Sequence, residues 1–132
     1  MTNPDGLLRL VDCVRVPVPD LDRGLAFYRD RLGHQLIWRS SMAAGLRLPG
    51  SETELVLTAT GQPEVDFLVD SVPDAVTQVT ASGGRVVVAP VDIPVGRVAV
   101  VADPFGNRLT LLDLSKGRYV TDADGSVTGV LP

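Results

Sequence analysis

Val- and Leu-rich stretches at strand spacing alternate with stretches at helical spacing, and the cycle runs twice along this chain. Residues 1–6 read as a loose terminus. Residues 7–18 read as a strand, with Val14, Val16 and Val18 on one face and Cys13 and Arg15 on the other. Pro17 and Pro19 end it, because proline cannot donate to a ladder. Asp20 is a good helix N-cap. Leu21, Leu25, Tyr28 and Leu32 form one apolar stripe, and Gly33 suits the helix C′ position. Three short strands are predicted over 35–40, 43–48 and 53–58, punctuated by Gly45 and Pro49-Gly50.

The second cycle begins with Val65, Phe67 and Val69 alternating with Glu64, Asp66, Leu68 and Asp70, a half-buried strand. Ser71 caps a second helix striped by Val72, Val76 and Val79 and closed by Gly83-Gly84. Strands follow over 85–89, 96–102 and 107–113. The last two flank a tight turn in which Asp103, Pro104 and Gly106 suit successive turn positions. The caps Asp20 and Ser71 are 51 residues apart, and so are Gly33 and Gly84. The expected fold is therefore α+β, with two fused β-α-β-β-β modules over 1–58 and 64–113 and a linker over 59–63. Neither module buries both its sheet and its helix alone. Paired, they are expected to form a cup-shaped mixed sheet with helices on the outer faces. The extension 114–132 reads as a hairpin of Tyr119-Val120-Thr121 with Val127–Val130 around Asp124-Gly125. Asp122 and Asp124 lack the further ligands of a calcium loop.

Composition narrows the class. The chain has 132 residues, 45% apolar and 21% charged, which describes a globular protein with a real core. The net charge of −4 argues against nucleic acid and anionic membrane as partners. No apolar run approaches a membrane span and no leader is recognisable, so a cytoplasmic location is expected. Cys13 is the only cysteine, which excludes an intrachain disulfide.

Two segments resemble the vicinal oxygen chelate superfamily of glyoxalases, bleomycin-resistance proteins, extradiol dioxygenases and related epimerases. One is Val16–Gly33, with its Phe27-Tyr28 and Leu32-Gly33; the other is Asp103-Pro104-Phe105-Gly106-Asn107-Arg108. The resemblance covers residues 7–113 and implies paired β-α-β-β-β modules enclosing a small-molecule cavity. It also implies a divalent metal held by His on the first strand of each module and Glu on the last. Here those positions carry Cys13, Glu64 and Thr110, with Glu54, or alternatively Glu52, as the remaining carboxylate. Imidazole–carboxylate chemistry is thus replaced, and no metal is expected, a divalent ion through a rewired site being the alternative. The only histidine, His34, follows the helix-ending glycine and is expected at the sheet rim.

The remaining candidates follow from strand parity. Arg15, Trp38, Glu54, Asp66, Arg97 and Thr110 are expected to bind a ligand, and Glu64 is the candidate general base. Trp38 reads more readily as core or interface than as a ligand platform, and Arg15 and Arg97 read equally as structural partners of Glu64 and Asp66. The function expected is binding of a small organic ligand without the usual metal. The alternatives are a metal-dependent lyase, isomerase or dioxygenase, and a metal-free enzyme using Glu64. Oligomeric state stays open between a monomer that closes its own cup and the homodimer that the resemblance implies, with the tail as a candidate contact.

Overall fold

The computed structural model describes residues 6–132, so most of the expected loose terminus lies outside the described residues. The chain forms two compact units. Each is a β-α-β-β-β arrangement, and together they make the protein mixed α+β. No helix among the described residues is long and apolar enough to cross a membrane.

The first unit comprises residues 12–64 and 119–129. Its elements are β1 (Leu10–Pro17), α1 (Leu21–Leu25), β2 (Leu36–Arg39), β3 (Ala43–Arg47) and β4 (Glu54–Thr58). The strands lie in the order β2-β3-β4-β1, with β1 and β4 parallel and the other pairs antiparallel. Leu21 and Leu25 pack on Ala44, Leu46 and Leu57, so α1 covers one face of the sheet. The register sets Cys13 and Arg47 opposite Glu54, and Arg15 and Gly45 opposite Val56. Because neighbours in register share a side, these residues occupy the face away from the helix.

The first helix departs from its expected course. The Asp20 carboxylate accepts from Arg23 N–H at 2.8 Å, as a cap should. Beyond Leu25, however, the helix widens to π form over Ala26–Arg31, with Leu32 N–H donating to Phe27 C=O. A π turn accommodates one extra residue. Gly33 (φ +84°) follows its cap by 13 residues, whereas the equivalent left-handed glycine of the second helix is Gly83 (φ +101°), 12 after Ser71. Gly83, not Gly84, is thus the counterpart of Gly33. The same insertion slips the apolar stripe, so Leu32 is 53% exposed instead of buried.

The second unit comprises residues 6–11, 65–118 and 130–132. Its elements are β5 (Glu64–Leu68), α2 (Val72–Ala81), β6 (Arg85–Ile93), β7 (Gly96–Ala102) and β8 (Arg108–Asp113), with strand order β5-β8-β7-β6. Val72 and Ala75 pack on Val69, Ala99, Val101 and Leu111. Val65 is exposed while Asp66 is buried, the reverse of the alternation expected at the start of β5. The reason lies in the register, which places Asp66 against Thr110 of central strand β8. The turn joining β7 to β8 is closed by Asp103, whose carboxylate accepts from the N–H groups of Phe105 and Asn107 and from the Asn107 amide. Those bonds, the Asn107 side chain foremost, hold its carboxyl below the usual range.

Asp113 ends β8 with its side chain 1% exposed. Its Oδ2 accepts from Val72 N–H at 2.7 Å, and its Oδ1 from Arg97 N–H at 3.0 Å and Ser115 Oγ at 2.8 Å. One carboxylate thus satisfies the first turn of α2, the start of β7 and the turn after β8. Burial opposes its ionisation, but the donors outweigh burial and hold the carboxyl below its ordinary value. Asp113→Ala should therefore cost about 2–4 kcal/mol in denaturant melts at pH 7, since it orphans the buried Val72 N–H and removes the acceptor of Arg97 N–H and of the Ser115 N–H and hydroxyl. With a depressed folded value, this carboxyl's contribution is present at neutral pH and lost as pH falls through that value. The gap between wild type and Asp113→Ala should accordingly narrow on acidification.

Candidate functional site

The polar face of the first unit is built around the chain's only tryptophan. After a register shift in β2, Trp38 stands opposite Gly45 of β3. A Cβ on Gly45 would collide with the Trp38 indole nitrogen, so only glycine lets the ring lie against the strand. From there Trp38 Nε1–H donates to Glu54 Oε1 at 2.6 Å. Tyr119 stacks on Trp38 with ring centroids 6.5 Å apart and planes 26° from parallel.

Tyr119 comes from the C-terminal hairpin, formed by β9 (Arg118–Thr121) and β10 (Val127–Leu131). Asp122 anchors its turn by accepting from the N–H groups of Asp124 and Ser126, as the turn reading required. Arg39 N–H donates to Gly125 C=O at 2.6 Å, which seats the hairpin tip beside β2. The extension, expected as a candidate dimer contact, braces Trp38 within its own chain.

Glu54 is half-buried, and its carboxyl is raised above the ordinary value. Burial is the main cause and the nearby Asp12 charge adds to it, against the opposing hydrogen bond from Trp38. Glu54 lines a cleft of about 480 Å³ together with Leu36, Ile37, Arg47, Leu48 and Glu52. That volume suits a small organic molecule. The arrangement offers aliphatic side chains, a guanidinium, and a carboxyl that burial holds above the ordinary carboxylate value.

The other predicted residues divide between places. Cys13 is buried opposite Glu54, which identifies Glu54 as the carboxylate beside the first strand; Glu52 lies outside β4. Arg15 Nε lies 3.5 Å from Glu64 Oε2, with both side chains partly exposed, so Glu64 is half of an ion pair. Asp66 and Thr110 are buried register partners in the second unit. Arg97 is not brought to them. It sits opposite Asp113, and its Nε bonds Asp92 at 3.3 Å, so the expected Arg97–Asp66 partnership is replaced by Arg97–Asp92. Lys116 shares that carboxylate at 2.9 Å, and the two cations, Lys116 foremost, hold it below its ordinary value. His34 is at the rim, its Nδ1 3.0 Å from Arg47 C=O. Strand parity had not singled out Arg47, Tyr119 or Asp113. The one signal available for Arg47 was a charge ending a strand opposite Glu54.

Two β-α-β-β-β units, the first of them carrying the cleft, point to one class of protein. The chain belongs to the glyoxalase/bleomycin resistance protein/dioxygenase superfamily, whose sequence profile matches residues 10–111. Among solved structures, it resembles methylmalonyl-CoA epimerase from Mycobacterium tuberculosis (TM-score 0.67, 20% identity, 86% of this chain and 92% of that one). It also resembles an NAD-dependent benzaldehyde dehydrogenase from Legionella pneumophila (TM-score 0.64, 23% identity, 77% and 97%). A third is the 2,3-dioxygenase LapB from Pseudomonas sp. KL28 (TM-score 0.59, 21% identity, 86% and 44%). These likenesses describe the fold. No curated protein matches the chain.

The metal common in this superfamily does not fit the residues present. The expected ligand positions hold a thiol, two carboxylates and a hydroxyl, with no imidazole. One Glu54 oxygen already accepts the Trp38 N–H, and Glu64 is paired with Arg15. Among the described residues, no three His, Cys, Asp or Glu side chains converge as a metal-holding group.

Two substitutions check this geometry. Gly45→Ala must displace the indole; it should cost about 1–3 kcal/mol and shift Trp38 emission to the red. Glu54→Gln keeps an oxygen acceptor for Trp38 and removes the buried charge. Because the folded-state value is raised, ionised Glu54 weakens the fold as pH rises through it, and the penalty is absent below the unfolded value. Glu54→Gln should therefore melt above wild type at pH 7, with the difference closing in acid.

Proposed function

We propose that this protein binds a small organic molecule in the cleft beside Glu54, without a metal held by the protein. The observation that carries this reading is the fixed Trp38–Glu54 hydrogen bond at the edge of a 480 Å³ cleft. It presents a carboxyl kept partly from water, at the cost of stability, where a ligand would meet it. Folds retain such a group where a ligand or reaction uses it. The ligand-binding set is then Trp38, Glu54 and Arg47, with Arg15, Asp66 and Thr110 in reserve on the sheets.

An enzymatic reading is favoured by one specific feature. If a proton is moved, Glu54 suits the task better than Glu64, because burial raises the Glu54 carboxyl while Glu64 is ion-paired with Arg15. The base expected at Glu64 is accordingly reassigned to Glu54 within this reading.

A native mass spectrum of protein purified without added metal or ligand tests the proposal, and its subunit number distinguishes monomer from homodimer. The expected outcome is a co-purified organic compound, no stoichiometric metal, and quenching of Trp38 fluorescence when the extracted compound is added back. Glu54→Gln should change that affinity about tenfold while the protein stays folded. One tightly held metal per chain, or affinity unchanged in Glu54→Gln, would overturn it.

A further inference from the structure

The strands of the first unit leave one cation facing this cleft unclaimed. Arg47 of β3 stands directly across from Glu54 of β4. Opposite charges so placed ordinarily pair. Here the carboxyl turns to Trp38, and Arg47 has no ion-pair partner among the described residues. Arg15, Arg29, Arg39 and Arg97, by contrast, each hold a carboxylate. Arg47 also lines a second cavity of about 330 Å³, together with His34, Gln35 and Pro49. Gln35 and Arg47 are common to both cavities, which are therefore neighbours along one groove.

The ring of His34 is oriented by the same residue. A carbonyl only accepts, so the contact at 3.0 Å means that Nδ1 carries a proton and donates to Arg47 C=O, leaving Nε2 for other partners. The Arg47 N–H in turn donates to Gln35 C=O at 2.9 Å. The backbone under the guanidinium is thus fixed on both sides.

We infer that the ligand of this cleft is a small organic carboxylate, its carboxylate bound by the Arg47 guanidinium and its apolar body lying along Ile37 and Leu48. This rests on the cleft being the binding site. The planar fork of arginine matches a carboxylate with two parallel hydrogen bonds. Glu52 and Glu54 line the same cleft, and their field tolerates a single negative charge better than the double charge of a phosphate monoester. His34, Glu52, Glu54 and Arg47 are the titratable groups facing the groove.

The probes are benzoate, its neutral analogue benzyl alcohol, and inorganic phosphate, titrated against the full chain by calorimetry and by Trp38 fluorescence. Wild type should bind benzoate at least about tenfold more tightly than benzyl alcohol. Arg47→Met should abolish that preference and Arg47→Lys should keep part of it. Arg47 is exposed, so both variants should keep the wild-type circular dichroism and melting temperature. Equal affinity of wild type for benzoate and benzyl alcohol would overturn the carboxylate assignment while leaving the cleft as a binding site. Benzoate affinity unchanged in Arg47→Met, or phosphate competing as well as benzoate, would overturn it too. Failure of both aromatic probes to bind or to perturb Trp38 would remove the carboxylate assignment and count against the cleft itself.

Discussion

An indole lying flat against a glycine is the constraint on which the polar face of the first unit depends. Trp38 reaches Glu54 only because Gly45 presents no side chain beneath it. That hydrogen bond draws the carboxyl away from Arg47, its cross-strand neighbour, and keeps it half out of water. Arg47 is thereby left without an ion-pair partner among the described residues, while burial, outweighing the Trp38 hydrogen bond, holds the Glu54 carboxyl above its ordinary value. An ion pair between Glu54 and Arg47 would have neutralised both groups.

The second unit uses its buried carboxylate for the opposite purpose. Asp113 is surrounded by N–H and O–H donors from three segments, so its charge is welcome and its role is architectural. Glu54 has one donor and a like charge nearby, so its charge is poorly accommodated. The contrast separates a carboxylate that organises a fold from one that the fold keeps available. The C-terminal hairpin belongs to the second category of support: through Gly125 and Tyr119 it holds β2 and the Trp38 ring in place.

The two units also show how a repeat diverges without losing its plan. A single inserted residue in the first helix is absorbed by a π turn. It leaves both capping positions intact and rotates Leu32 out to solvent. The positions expected for metal ligands, Cys13, Glu64 and Thr110, differ as well. A thiol, an ion-paired glutamate and a hydroxyl stand there, none of which reproduces an imidazole–carboxylate site.

The sequence by itself determined the element order, the capping residues Asp20 and Ser71, the hairpin turns and the duplicated plan. All of these are set by local signals: side chains that bond nearby backbone, glycines that take positive φ, and apolar periods of two and 3.6. What the sequence could not show was register and direction. Only the tertiary structure decided that Glu54, not Glu52, lies opposite Cys13, that Arg97 turns to Asp92, and that Glu54 bonds Trp38 and leaves Arg47 to the cleft. The physical reason is that each of these choices is a competition among non-local partners. A charge at a known position has several counter-charges in reach, and the pairing is settled by a β-strand register shift and the space above one glycine.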